Sequence, residues 1–194
     1  MVLSDNEIKA ALYCKQLVIE PFDDESRISS TAVDLTLGGD EFKRWNDLGG
    51  GDDSGEVELI IDPSTKDFFR RLSGKFLVDA ERERDGSVIL APHAFLLALT
   101  KENVTLPKPS RLAGRVEGRS SLARIGLGIH VTAPTIHAGW SGQIALEIVN
   151  HGCFKIRLRP GLVVCQLILE QVHGTPGTDT SGQFQQQNSV TGRK

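Results

Sequence analysis

The sequence is poor in the residues that build covalent frameworks or protein-held metal sites. Its three cysteines, Cys14, Cys153 and Cys165, are odd in number and scattered; this argues against disulfides, suits a reducing compartment and makes each a small core filler. No Cys-x-x-Cys pair occurs, and His93, His130, His137, His151 and His173 form no pair at His-x-x-x-His or similar spacing, so no ligand set for a catalytic zinc is evident and the metal set reads as none. Neither a Walker loop nor a Gly-x-Gly-x-x-Gly fingerprint is present, which removes the commonest nucleotide-binding routes. No apolar run reaches the ~20 residues of a membrane span. Met1 to Lys9 lacks the basic start and apolar block of a secretory signal, so a cytoplasmic protein without a membrane partner is expected. A net charge of −3 leaves no broad basic footprint for long nucleic acid, although a local arginine cluster can still hold one anion. The ligand should be small.

What is present fits one globular domain over residues 1–194, since 194 residues are enough for one core of ordinary size. Ser4-Asp5-Asn6-Glu7 is a capping box ahead of Ile8, Ala11 and Leu12 at helical spacing, which predicts a short N-terminal helix. Leu17–Ile19 and Ala32–Gly38 read as strands. Trp45 to Gly55 is rich in Gly and Asp and reads as an insertion, followed by a short surface helix over Pro63–Leu72. From Ser87 the apolar segments are short and divided by Gly or Pro: 88–90, 95–99, 112–116, 129–132, 143–149, 154–158 and 162–169. The one helical candidate among them is Ser121–Ile125. This pattern predicts a mainly β sandwich or barrel with few helices. The tail from Gly174, dominated by Gly, Thr, Ser and Gln, has the composition of a flexible segment.

Two features carry chemistry. In Gly118-Arg119-Ser120-Ser121-Leu122-Ala123-Arg124-Ile125-Gly126 two arginines flank two hydroxyls on a turn. This is an inventory able to wrap a polyphosphate, and equally that of a solvated turn with surface ion pairs. In Gln143-Ile144-Ala145-Leu146-Glu147-Ile148-Val149 the large apolar residues alternate toward the core, leaving Ala145 and Glu147 on the other face. A glutamate in so apolar a strand is either an ion-pair partner or a general acid/base.

Arg119 to Arg124, then His130-Val131-Thr132-Ala133, Gly139-Trp140-Ser141-Gly142 and Leu146-Glu147 resemble the core of dCTP deaminases in order and spacing. The likeness extends to Leu3 to Ile8, Val33 to Gly38, Val104 to Pro107, Arg159-Pro160-Gly161 and Gln166-Leu167-Ile168. It implies a dUTPase-like distorted β-barrel or jelly-roll, a homotrimer with active sites between subunits, dCTP as substrate, magnesium carried on the triphosphate, no zinc, and dTTP as a candidate inhibitor. It also implies roles. Glu147 moves a proton from water to N3, Arg124 lies near it, and Ser120 with the backbone at Ala133 holds the water and the base. Arg119, Ser120 and Ser121, on the turn that continues through Leu122 and Ala123, bind phosphates. The backbone of Ala145 and Leu146 reads the cytosine edge, and residues 174–194, with Gln183 and Gln187, form a lid over the triphosphate that orders with ligand.

Three positions depart from the family or stand between readings. His137 lies where many relatives have an aspartate beside the sugar, and Gln183 where a lysine is usual. Gln166 is either a strand-end hydrogen-bonding residue or a phosphate contact. His130 reads as a satisfied structural histidine, and Trp140 as packing at the barrel mouth. The expected reaction is zinc-independent hydrolysis of dCTP to dUTP and ammonia. The alternatives are a bifunctional enzyme giving dUMP and a catalytically impaired nucleotide-binding regulatory protein.

Overall fold

The computed structural model describes residues 1–46, 60–178, 182 and 184–193. In chain order its elements are α1 (Asp5–Tyr13), β1 (Val18–Glu20), β2 (Ala32–Trp45), α2 (Phe68–Phe76), β3 (Leu77–Asp79), β4 (Val88–Leu90), β5 (Phe95–Thr105), β6 (Leu112–Gly118), α3 (Ser120–Ala123), β7 (Leu127–Gly128), β8 (Thr135–Ile136), β9 (Ser141–Asn150), β10 (Ile156–Leu158) and β11 (Val163–Gln171). The main sheet runs β7-β9-β5-β2-β11-β6-β8, with β1 added to β5, β3 added to β2, and a separate β10-β4 pair. The fold is mainly β with few helices, as the short apolar segments require.

The capping box forms as its residues dictate: Ser4 N donates to Glu7 Oε2 at 2.8 Å, and Glu7 N to Ser4 Oγ at 3.5 Å. Strand β9 alternates buried and half-buried residues along its whole length, so Ile144, Leu146 and Ile148 enter the main core while Ala145 and Glu147 face the other way. That second face carries a smaller cluster of Leu97, Leu99 and Val190, flanked by Trp45, Leu77, Phe95 and Ala145. The sheet is therefore covered on both sides where β2, β5 and β9 meet.

Several local expectations change. The strand expected over 32–38 continues to Trp45, because its far half pairs with β5 and β3. The Gly- and Asp-rich insertion lies outside the described residues from position 47 onward. The helix expected over 63–72 starts at Phe68 and ends at Phe76. Residues 129–132 are not a strand; this run leads to Pro134, which lacks an amide donor for a ladder, and β7 closes at Gly128. Cys14 and Cys153 are exposed, so only Cys165 fills the core; Phe154, beside Cys153, is 65% exposed and lies outside β10.

One buried charge ties β1's flank to the sheet. Glu102 on β5 is fully buried and accepts from Arg27 Nη1 at 2.5 Å, Thr36 N at 2.9 Å and Thr36 Oγ1 at 2.7 Å. Removing one partner of such a set strands the others without water. Glu102→Ala is expected to lower the unfolding free energy by about 3–5 kcal/mol, measured by urea denaturation; a loss under about 1 kcal/mol, the size of a surface pair, would contradict it. Burial also pushes the Cys165 thiol up, away from the reactive thiolate. A thiol-specific disulfide reagent should titrate Cys14 and Cys153 in the native protein and Cys165 only after denaturation.

Candidate active site

The second face of the sheet holds the main recess, a cavity of about 470 Å³. Its floor is built by strand pairing: Leu97 lies opposite Glu147 and Leu99 opposite Ala145. Phe95, Leu97, Ala145 and Glu147 reach the cavity from this floor, and His130, Ala133, Thr135 and His137 from the 129–137 segment. Trp45, Phe69 and Phe184 close another side, with Phe69 edge-on to both partners at centroid distances of 6.3 Å from Trp45 and 5.9 Å from Phe184. A mostly apolar enclosure with a few polar groups is the usual form of a small-molecule site.

Glu147 is the only carboxylate among the described residues lining the cavity, and no ion pair engages it. Its Oε2 accepts from Val131 N at 3.4 Å, a long contact near the limit of a hydrogen bond. Among the described residues no cation pairs with it, and the carboxylate keeps acceptor capacity for a ligand. The outer edge of β9 is paired at Val149–Asn150 by β7 and at Gly142 by Gln187. Between them, among the described residues, no strand takes up the 144–148 backbone on that edge. Ala145 lines the cavity, while the Leu146 side chain is buried in the core.

His130 differs from the expectation of a satisfied structural residue. Its Nε2 stands 3.6 Å from Glu117 Oε2, but its Nδ1 is buried without a hydrogen-bond partner, as is Trp140 Nε1; both residues line the cavity. Trp140 also packs on the main core, in keeping with its expected place at the barrel mouth.

The guanidinium and hydroxyl turn lies elsewhere. Arg119 to Arg124 and Gln166 are not among the residues lining the cavity. Strand order places Gln166 of β11 beside Asp34 of β2 and Glu117 of β6. Asp34 then gathers two of the expected phosphate ligands: Arg119 Nη1 forms an ion pair with Asp34 Oδ2, and Gln166 Nε2 donates to Asp34 Oδ1 at 3.1 Å. Ser120, Ser121, Ala123 and Arg124 are exposed on α3 and its end, with Leu122 half-buried. Gln187 lines the cavity and Gln183 lies outside the described residues. Glu147, Ala133, His137, Ala145 and Gln187 are therefore brought together, whereas Ser120 and Arg124 are not brought to Glu147 within one chain. Asp34, Trp45 and Phe69 were not singled out from sequence; Asp34 stood in the quoted Val33–Gly38 motif with no role attached, and Trp45 and Phe69 fell in the region read as insertion and surface helix.

Fold and site together define a class: a mainly β protein with a carboxylate in a mostly apolar recess, and with a group of arginine, hydroxyl and amide side chains on a separate edge. A family model described as dCTP deaminase-like matches residues 2–172, and the chain belongs to that family. A dCTP deaminase of Tolumonas auensis is 40% identical over 183 residues, covering 90% of this chain and 86% of that protein. A protein of Methanosphaera stadtmanae named "dCTP deaminase, dUMP-forming" is 38% identical over 169 residues, covering 87% of this chain and 78% of that one. The crystal structure of 2′-deoxycytidine 5′-triphosphate deaminase from Agrobacterium tumefaciens superposes with a TM-score of 0.60 at 22% identity, which bears on the fold. It covers 89% of this chain, which spans about half (48%) of that one.

Proposed function

We propose that this protein deaminates dCTP by hydrolysis, releasing dUTP and ammonia, with magnesium entering on the triphosphate as part of the substrate. The observation that carries the reading is Glu147, a carboxylate without an ion pair in an apolar recess, in a chain of the dCTP deaminase-like family. Glu147 takes a proton from water as its oxygen attacks C4, and passes that proton to N3. The hydroxyl proton of the adduct then moves through Glu147 to the exocyclic amine. The C4–N4 bond breaks and ammonia leaves, with C4 now a carbonyl carbon. Proton transfer of this kind contributes about 10²–10⁴-fold; orientation of the base by the Ala145–Leu146 edge and the mostly apolar walls of the recess supply more. Ala133 and Ser120 hold the water and the ring, and no protein-bound zinc takes part.

The separation of the two half-sites supports a site shared between copies. Arg119, Ser120, Ser121 and Arg124, with Gln166 behind them, would meet the triphosphate over a neighbour's recess, and a closed homotrimer repeats that contact three times without an open end. His137, which stands where many relatives have an aspartate beside the sugar, supports dUTP over dUMP as the product. dTTP, which shares the pyrimidine and the triphosphate, is the expected inhibitor.

Chromatography of products after incubation with magnesium and dCTP tests the reaction: dUTP should accumulate, also in protein treated with a zinc chelator, and Glu147→Gln should slow it by at least about 10²-fold. No product from the folded wild type would overturn deamination, and dUMP without released dUTP would overturn the product assignment. Mixed assemblies test the shared site. Arg119→Ala and Glu147→Gln chains are each expected to be nearly inactive, yet refolded together they should regain activity at about one site in four, the fraction with one intact half from each chain. Activity no higher than that of the separate variants would place both halves on one chain.

A further inference from the structure

We infer that Glu41 is a positioning residue that holds the C-terminal strap, residues 184–193, as a wall of the recess containing Glu147. The inference rests on reading that recess as the base site. Glu41 lies on β2 next to Phe42; Phe42 enters the main core, and strand alternation turns Glu41 to the second face with Trp45. There the carboxylate is only 8% exposed, a costly position unless donors reach it. Two donors come from the strap: Ser189 Oγ to Oε1 at 3.1 Å and Val190 N to Oε2 at 2.7 Å.

The rest of the strap is fitted to the same seat. Val190 is 2% exposed and packs with Leu97 and Leu99, and Leu97 is the cross-strand partner of Glu147. Gln187, 4% exposed, receives the Gln143 amide at its carbonyl at 3.0 Å and donates from Nε2 to Gln143 O at 2.7 Å. At the crossing stands Gly142 with φ +146°, where a Cβ would come within 2.9 Å of Gln187 N; a side chain there would lift the strap. Phe184 stacks edge-on against Phe69. Phe184, Gln185, Gln187 and Val190 all line the recess, so a strap detached at Glu41 opens the recess to water and weakens the hold on the base.

The chain's two tryptophans, Trp45 and Trp140, both line this recess and report on the seat. In Glu41→Ala the Val190 amide loses its acceptor; tryptophan quenching by acrylamide should rise, and KM for dCTP should increase about tenfold while kcat stays within about threefold. Glu41→Gln should restore most of both properties, its amide oxygen accepting from Val190 N and its nitrogen donating to Ser189 Oγ. Val190→Asp, placed on the strap itself, should reproduce the Glu41→Ala result without touching β2. Wild-type quenching and KM in both Glu41→Ala and Val190→Asp would overturn the inference, as would a loss confined to kcat. If the wild type does not turn over dCTP, the deamination reading fails, while the quenching comparison still decides the role of Glu41.

Discussion

The pairing of β5 with β9 is the constraint on which the rest of this molecule depends. Because side chains alternate along a strand, the register that sets Leu97 against Glu147 and Ala98 against Leu146 fixes two surfaces at once. One receives Ile144, Leu146 and Ile148 and closes the core; the other receives Ala145 and Glu147 and opens the recess. A slip of one residue would exchange the two, driving the carboxylate into the core. Thr100 and Gln143 pin the register beside its irregularity, with Gln143 Nε2 donating to Thr100 O at 2.8 Å and Ile144 N to Thr100 Oγ1 at 3.0 Å.

Three glutamates on this sheet show how partners decide use. Glu102 is saturated by Arg27 and Thr36 and is structural. Glu41 is engaged by the strap. Glu147 has one long backbone contact and faces a cavity. A carboxylate whose lone pairs are already engaged by protein donors has fewer of them left for a ligand. Of the three, Glu147 is the one that faces the recess with one long hydrogen bond.

Much of this was legible in the sequence where the signal is local. The alternation of 143–149 determines which way Glu147 points, and the Ser4–Glu7 box determines where α1 starts. The misreadings arise where partners are distant. Residues 129–132 are apolar enough for a strand, but a strand needs a ladder, and Pro134 with the chain's approach to Glu147 denies it one. Glu41 sits in Gly-Gly-Asp-Glu-Phe-Lys-Arg, past the end of the strand expected over 32–38; its carboxylate is engaged by Ser189 and Val190, 148 and 149 residues away. The tail has a disordered composition and is nonetheless placed at 184–193, because hydrogen bonds to β2 and β9 anchor the turns that it makes within itself.

A site divided between two edges of a chain, as proposed, would have a thermodynamic consequence. The recess and the Asp34–Arg119–Gln166 group are each organised by contacts inside one chain, so neither must be created when copies meet. In the shared site proposed above, assembly would add their relative placement, and a triphosphate bridging the two halves would couple ligand binding to association. Ligand that binds only the assembled form must stabilise that form. The charge pattern agrees with this division: the recess holds a carboxylate and mostly apolar walls that would repel a polyanion, while Arg119 and Arg124 stand on the other edge. A nucleotide, planar and uncharged at one end and highly charged at the other, is the kind of molecule that would use both halves at once.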